Sequence, residues 1–256
     1  MSTAEHLLYE FPCNEKIRTY LRLEALFQRF DWFCEQTSAI AHQAGISALF
    51  DLLDATARSD LRHELIQELE RQRQRLIAKN ASADPDMAAH LAEIGAAIQA
   101  VSDSVGRTTQ SVRENHGCRS SARARALQAA PANSTCRRCT VWMNTAPEIR
   151  RRELQSYVST LEPIRTGTML LLRIFRANSH CQSLTAVNGT YQFSMNRNQN
   201  CALVQIWLPA DSTVVPEVSA NKYMLWIRFS RPDENHKLHL ARTEEIPFRL
   251  GLCTPS

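Results

Sequence analysis

Glycine is scarce in this chain: 7 of 256 residues, with no two closer than eleven positions, where average usage would supply roughly eighteen. Loops that cradle phosphates need closely spaced glycines, because only there can backbone N–H groups come up against the ligand. A dinucleotide fingerprint, a Walker loop and a G-x-S-x-G elbow are all missing, which weighs against nucleotide hydrolysis, nicotinamide redox chemistry and α/β-hydrolase chemistry. Long apolar runs are missing too. The best, Met169-Leu170-Leu171-Leu172-Arg173-Ile174-Phe175, falls far short of the ~20 residues that span a bilayer, so no membrane partner is expected. Met1-Ser2-Thr3-Ala4-Glu5-His6 lacks the basic and apolar regions of a secretory signal. A cytoplasmic protein is the expectation.

What is present is a globular composition, 44% hydrophobic and 22% charged, in a length that suits one large domain or two ordinary ones. The formal charge of +4 is unevenly spread. Between Arg107 and Arg138 stand seven arginines and one acid, Glu114, a net +6 that leaves −2 for the rest of the chain. One segment, about 105–140, makes the protein basic.

Up to that segment the apolar period is helical. Asn14 is placed to cap a helix through Gln36 whose apolar face carries Ile17, Tyr20, Leu23, Phe27 and Phe30. Further helices are expected from Ser38 to about Ala57, from Ser59-Asp60 onward with Leu65, Ile66, Leu69 and Leu76, and from Asp84-Pro85 to about Val101. The Glu/Arg/Gln-rich face of the third reads as a solvated face. Helical spacing resumes from Glu148 to Leu161 and, after a proline break, from Pro163 to about Asn178. The period then changes to two. Residues 183–187 and 190–193 flank Asn188-Gly189, a strong hairpin signal, and strand-like runs follow at 202–208, 223–229, 237–241 and 248–252. The fold class predicted is α+β: an N-terminal helical domain over 1–178, then a mainly antiparallel β domain over 179–256.

Cys136-Arg137-Arg138-Cys139, with His116 and Cys118 upstream, offers the four soft ligands of a tetrahedral zinc site. Among so many arginines, a zinc-binding nucleic-acid module is one reading. Against it, the segment has almost no apolar pattern to fold around a metal. Cysteines 13, 34, 181, 201 and 253 lie in apolar patterns and read as buried free thiols of a reducing compartment. His236 and His239 fall on opposite faces of a strand, which argues against a metal pair. No catalytic set stands out.

The opening stretch Tyr9-Glu10-Phe11-Pro12-Cys13-Asn14-Glu15-Lys16-Ile17-Arg18-Thr19-Tyr20-Leu21-Arg22-Leu23-Glu24 closely resembles the start of the ZapD family of cell division proteins. Leu61-Arg62-His63-Glu64-Leu65, Leu69-Glu70-Arg71-Gln72, Leu184-Thr185-Ala186-Val187-Asn188-Gly189-Thr190-Tyr191-Gln192 and Ile227-Arg228-Phe229 are similar to further stretches of that family. The resemblance covers nearly the whole chain except about 117–140. There the family carries a tryptophan–leucine helix and a Gly-Gly-Thr-Cys-x-Phe-Asp-Leu-Pro stretch. With the frame moved by one base, permissible codons for Gly117 to Thr140 read Trp-Leu-Pro at the start and Gly-Gly-Thr-Cys-Glu-Phe-Asp-Leu-Pro later on. A compensated frameshift over about 117–140 therefore explains the arginine excess, the shortage of glycine and the isolated C-x-x-C together. As written, Leu127 is the only large apolar residue in it, so an exposed segment is expected, with at most a short helix about Ala122–Ala130.

The resemblance implies a non-enzymatic, cytoplasmic homodimer at the mid-cell division site, without cofactor or metal. It implies binding to the C-terminal tail of FtsZ and bundling of FtsZ filaments. That tail carries acidic and apolar residues, so basic groups beside apolar ones are the receptors to look for. Arg58, Arg228 and Arg22 match basic positions of the family. Arg22 has no acid three or four positions away, so an intrahelical ion pair does not account for it; Arg58 lies in a short link, and Arg228 sits outward on a strand. Met224 stands where the family's second basic residue of that strand falls. The alternative function is a basic, zinc-binding nucleic-acid binder centred on 107–139.

Overall fold

A computed structural model of the chain describes residues 6–58, 60–79, 85–104, 141–195, 201–221, 223–242 and 245–254. The Arg-rich segment about 105–140, with His116, Cys118, Cys136, Cys139 and the short helix expected about 122–130, lies outside the described residues, as does the expected cap Asp84. The chain is α+β, with helices first and antiparallel sheets after. It divides into two compact units, Thr19–Leu171 and Met1–Arg18 with Leu172–Ser256.

The helices are α1 (Glu15–Glu35), α2 (Ala39–Thr56), α3 (Leu61–Lys79), α4 (Pro85–Asp103), α5 (Pro147–Val158) and α6 (Glu162–Ala177), with a 3₁₀ turn at Ser159–Leu161 between the last two. The Asn14 carboxamide oxygen accepts the Ile17 N–H at 3.0 Å, the cap expected of it. Tyr20, Leu23, Phe27 and Phe30 are at most 1% exposed, as a 3.6-residue period dictates. On α3, Leu61, Leu65 and Leu69 are buried, while Glu70 binds Arg73 at 3.3 Å and Gln74 at 2.7 Å on the solvated side. α6 comes against α3 and α4 at Gly167, where an added Cβ would meet Leu65 at 3.0 Å and Val101 at 3.4 Å. The expected proline break is a tight 3₁₀ turn, because Pro163 falls in the first turn of α6, where its missing N–H has no intrahelical partner to lose.

The strands are β1 (His6–Pro12), β2 (Ser179–Ala186), β3 (Thr190–Ser194), β4 (Leu203–Pro209), β5 (Val215–Ala220), β6 (Met224–Pro232), β7 (Leu238–Leu240) and β8 (Ile246–Cys253). One sheet runs β1-β4-β8-β2; the other runs β3-β6-β5, with β7 also on β6. They share a core of Val204, Ile206, Leu225, Ile227, Phe229, Phe248 and Leu250.

Three features differ from the sequence expectation. β1 and β5 were not read as strands; both are edge strands. The Asn188-Gly189 turn forms, with φ of 55° and 69° and Thr190 N–H donating to Val187 O at 3.1 Å, but no hairpin follows. After a single bridge, β2 pairs with β8 and β3 with β6. The turn thus carries the chain from one sheet to the other. Gly189 is required there doubly, since a Cβ would also meet the Ala241 carbonyl oxygen at 2.7 Å.

Candidate functional site

On β6 the alternation of a strand sorts the side chains cleanly. Leu225, Ile227 and Phe229 are fully buried in the shared core, so Met224, Trp226 and Arg228 face outward, the first two half-buried and Arg228 exposed. Arg228 lies between Thr190 of β3 and Glu217 of β5, and Trp226 between Gln192 and Ser219. Directly opposed residues of an antiparallel pair stand about 4.5–5.5 Å apart at Cβ, so Glu217 is the neighbouring charge. Among the described residues Arg228 nonetheless makes no ion pair or side-chain hydrogen bond. This face presents an indole beside a guanidinium unpaired among the described residues, with Thr190, Gln192 and Ser219 as uncharged polar neighbours and Glu217 as the acid opposite.

Arg22 and Arg58 belong to the helical unit and Arg228 to the β unit. Arg22 is exposed on α1, away from the face that buries Tyr20 and Leu23. Arg58 is exposed between α2 and α3, where its carbonyl accepts the Leu61 N–H at 3.3 Å. Neither side chain has a partner among the described residues.

Other arginines are engaged. Arg165 grips Asp31 through two bonds of 3.2 and 2.5 Å and lies 5.4 Å from the Phe27 ring centre. Arg176 holds Glu10 at 2.9 and 2.5 Å, with Gln205 donating to the same carboxylate at 2.8 Å. Burial works against the ionised form of Glu10, but these hydrogen bonds and the Arg176 charge outweigh it and hold the carboxyl below its ordinary 4.5. On the same sheet as Glu10 and Gln205, Arg249 stacks over Trp207 at 5.3 Å.

Sequence reasoning missed one polar centre, at the start of α5. Arg150, 3% exposed, donates to His42 Nδ1 at 3.0 Å, Met143 O at 3.1 Å and Thr37 O at 2.8 Å, and also to Thr145 O. His42 Nε2 in turn lies 3.3 Å from the Cys34 carbonyl. Arg151 donates to the carbonyls of Cys34 at 2.9 Å and Glu35 at 3.0 Å. The last carbonyls of a helix have no intrahelical donor, and α1 has no basic residue in its last turn. That shortage was the available signal. Trp142, just before α5, donates to Glu153 at 2.6 Å.

Among the described residues no group of three or more His, Cys, Asp or Glu is placed to hold a metal ion, and no helix is long and apolar enough to cross a membrane. Of the five cysteines expected to be buried, only Cys34 and Cys253 are fully so, and Cys181 is exposed.

Comparison with known proteins gives a consistent result. The family model of ZapD, described as a cell division protein, matches residues 21–228. The chain is 35% identical over 257 positions to the cell division protein ZapD of Bordetella pertussis, covering 98% of this chain and 99% of that one. The Bordetella bronchiseptica protein of the same name matches equally. That of Cupriavidus metallidurans is 36% identical over 255 positions, covering 96% and 99%.

Proposed function

The chain belongs to the ZapD family of cell division proteins, and we propose on that premise that it binds the C-terminal tail of FtsZ and joins FtsZ filaments into bundles. It does so in the cytoplasm, at the mid-cell division site, without catalysis or cofactor. The observation that carries the reading is the exposed, unpaired Arg228 beside half-buried Trp226 on one sheet face. A tail with acidic and apolar residues meets its complement there: the guanidinium takes a carboxylate bidentately, and the indole covers an apolar side chain. Arg22 and Arg58 are further basic contacts, both exposed.

Bundling needs two tail sites in one particle, which a homodimer supplies. Linked sites raise the effective concentration of the second binding event, so modest single-site affinities suffice. In support of self-association, the helical unit exposes Trp32 (58%), Ile40 (72%), Val141 (66%) and Ile149 (48%), on or next to the segments that Arg150 and Arg151 tie together. Exposed apolar groups gathered in one region mark association surfaces.

Cosedimentation with FtsZ polymers, compared with DNA retardation at matched salt, tests the function. Pelleting with FtsZ and no shift of DNA is the expected outcome; a DNA shift without pelleting would favour the nucleic-acid reading of 107–139.

The compensated frameshift over 117–140 is proposed on the same premise. A shift that is later restored keeps chain length, in keeping with a match over 98% of this chain and 99% of the relative. Sequencing the coding DNA tests it, since codons incompatible with the shifted reading reject it.

A further inference from the structure

Cys13 and Cys201 come together where the ladder between β1 and β4 runs past the ends of both strands. Cys13 N–H donates to Ala202 O at 3.0 Å, and Ala202 N–H donates to Cys253 O at 2.9 Å, so the backbone on each side is fixed. The two Sγ atoms, 188 positions apart in sequence, lie 3.4 Å from each other, and both residues are half-buried. We propose that Cys13 and Cys201 form a reversible redox site, oxidised to a disulfide by a hydroperoxide and restored by a thiol reductant. Nothing in this depends on the tail-binding reading.

The geometry needs little adjustment. A disulfide requires an S–S separation of about 2.05 Å, so the sulfurs, 3.4 Å apart, must close by about 1.4 Å. Cys201 gives up only a 3.5 Å contact to the Leu203 carbonyl. The two thiols are also unequal. Hydrogen bonding with Cys201 lowers the pKa of Cys13, whereas that same bond together with burial raises the pKa of Cys201. Cys13 is therefore the member that loses its proton first and attacks. By contrast, burial pushes Cys34 up to about 12 and Cys253 up to about 11, which keeps them protonated.

The steps balance. The Cys13 thiolate attacks one oxygen of the peroxide, the O–O bond breaks, and the departing oxygen takes a proton, leaving Cys13 as a sulfenic acid. The Cys201 sulfur then displaces the sulfenic hydroxyl, which takes the Cys201 proton and leaves as water. Two S–H bonds have become one S–S bond, and the peroxide has gained the two electrons.

The ring so closed contains the whole helical unit, Thr19–Leu171. Oxidation would therefore keep β1, an edge strand that among the described residues pairs only with β4, from leaving its sheet even while the helical unit opens. Crosslinks across such long loops constrain the unfolded chain most.

The test treats the full chain with hydrogen peroxide, blocks remaining thiols, and maps peptides without reduction. The expected product joins the Cys13 and Cys201 peptides and disappears with dithiothreitol. Cys201→Ser should abolish the crosslink and leave a Cys13 sulfenic acid that a cyclic diketone captures; Cys181→Ser should leave the crosslink intact. On the unmutated chain, the denaturant midpoint should rise on oxidation and return on reduction. Crosslinks that instead join these cysteines to Cys118, Cys136, Cys139 or Cys253, no crosslink at all, or an unchanged midpoint would each overturn the proposal.

Discussion

Arg150 and Arg228 are the same residue type put to opposite uses. The first is 3% exposed and spends its donors on three backbone carbonyls and one imidazole. The second is exposed and spends none of its donors on the described residues. A saturated guanidinium closes a structure; an unsaturated one is kept for something that arrives later. The helical unit thus uses arginine as internal mortar around the end of α1, while the β unit turns one outward beside an indole.

The largest effect should come from breaking the first arrangement. Arg150→Ala leaves buried carbonyls and His42 without a donor, which costs about 3 kcal/mol or more, read as a lower midpoint in urea unfolding. Arg150→Lys keeps the charge but not the fork and should recover only part of the loss.

Breaking the second should leave stability within ~1 kcal/mol, the cost being a like-charge pair across from Glu217, yet abolish function. Arg228→Glu sets like charges against an acidic tail, so FtsZ pelleting should fall at least tenfold, about 1.4 kcal/mol. A variant that bundles as well as the parent would remove Arg228 from the site.

Glu10 sharpens the contrast through pH. Its pKa is depressed in the folded state, so its contribution is fully present above the unfolded value, near 4.5, and is lost as pH falls through the folded value. The parent should therefore lose stability on acidification below about pH 4.5, and Glu10→Gln should flatten that slope while being less stable at neutral pH. Equal acid slopes would show that the Arg176–Glu10 pair contributes nothing.

The smallest effect concerns the charge that faces Arg228. Glu217→Gln removes a competitor for the incoming carboxylate; cross-strand pairs are worth ~0.2–1 kcal/mol, so tail affinity should rise at most about fivefold. Met224→Arg restores a second cation on the same outward row of β6 and should strengthen binding in the same range. Fluorescence anisotropy with a labelled tail peptide reads both.

The helices were legible because cap, apolar period and proline agree, as at Asn14 and along Tyr20, Leu23, Phe27 and Phe30. The edge strands were not. β1 begins with exposed residues and shows no alternation to read, and β5 carries Pro216, which lacks a ladder donor and is tolerated because β5 is an edge strand. The Asn188-Gly189 dipeptide specified its turn but not its partners, because the pairing of β2 with β8 and of β3 with β6 is decided by residues sixty or thirty positions away. Of the candidate surface, Arg228 and its outward direction were readable from alternation. Glu217 was not, since it reaches Arg228 only through β5. The clasp of Arg150 and Arg151 spans more than a hundred residues of sequence, beyond any local pattern.

Strand β8 lies in the interior of its sheet, between β4 and β2, and ends at Cys253. On the ribosome this sets an order of events. The first strand is made well before the ladder that completes its sheet, which follows about 12–50 s later at ~5–20 residues per second. The helical unit, lying wholly between them in sequence, can assemble during that interval. Over that interval the chain carries an unfinished first strand, whose Leu7 and Leu8 remain more than two-fifths exposed even in the finished protein.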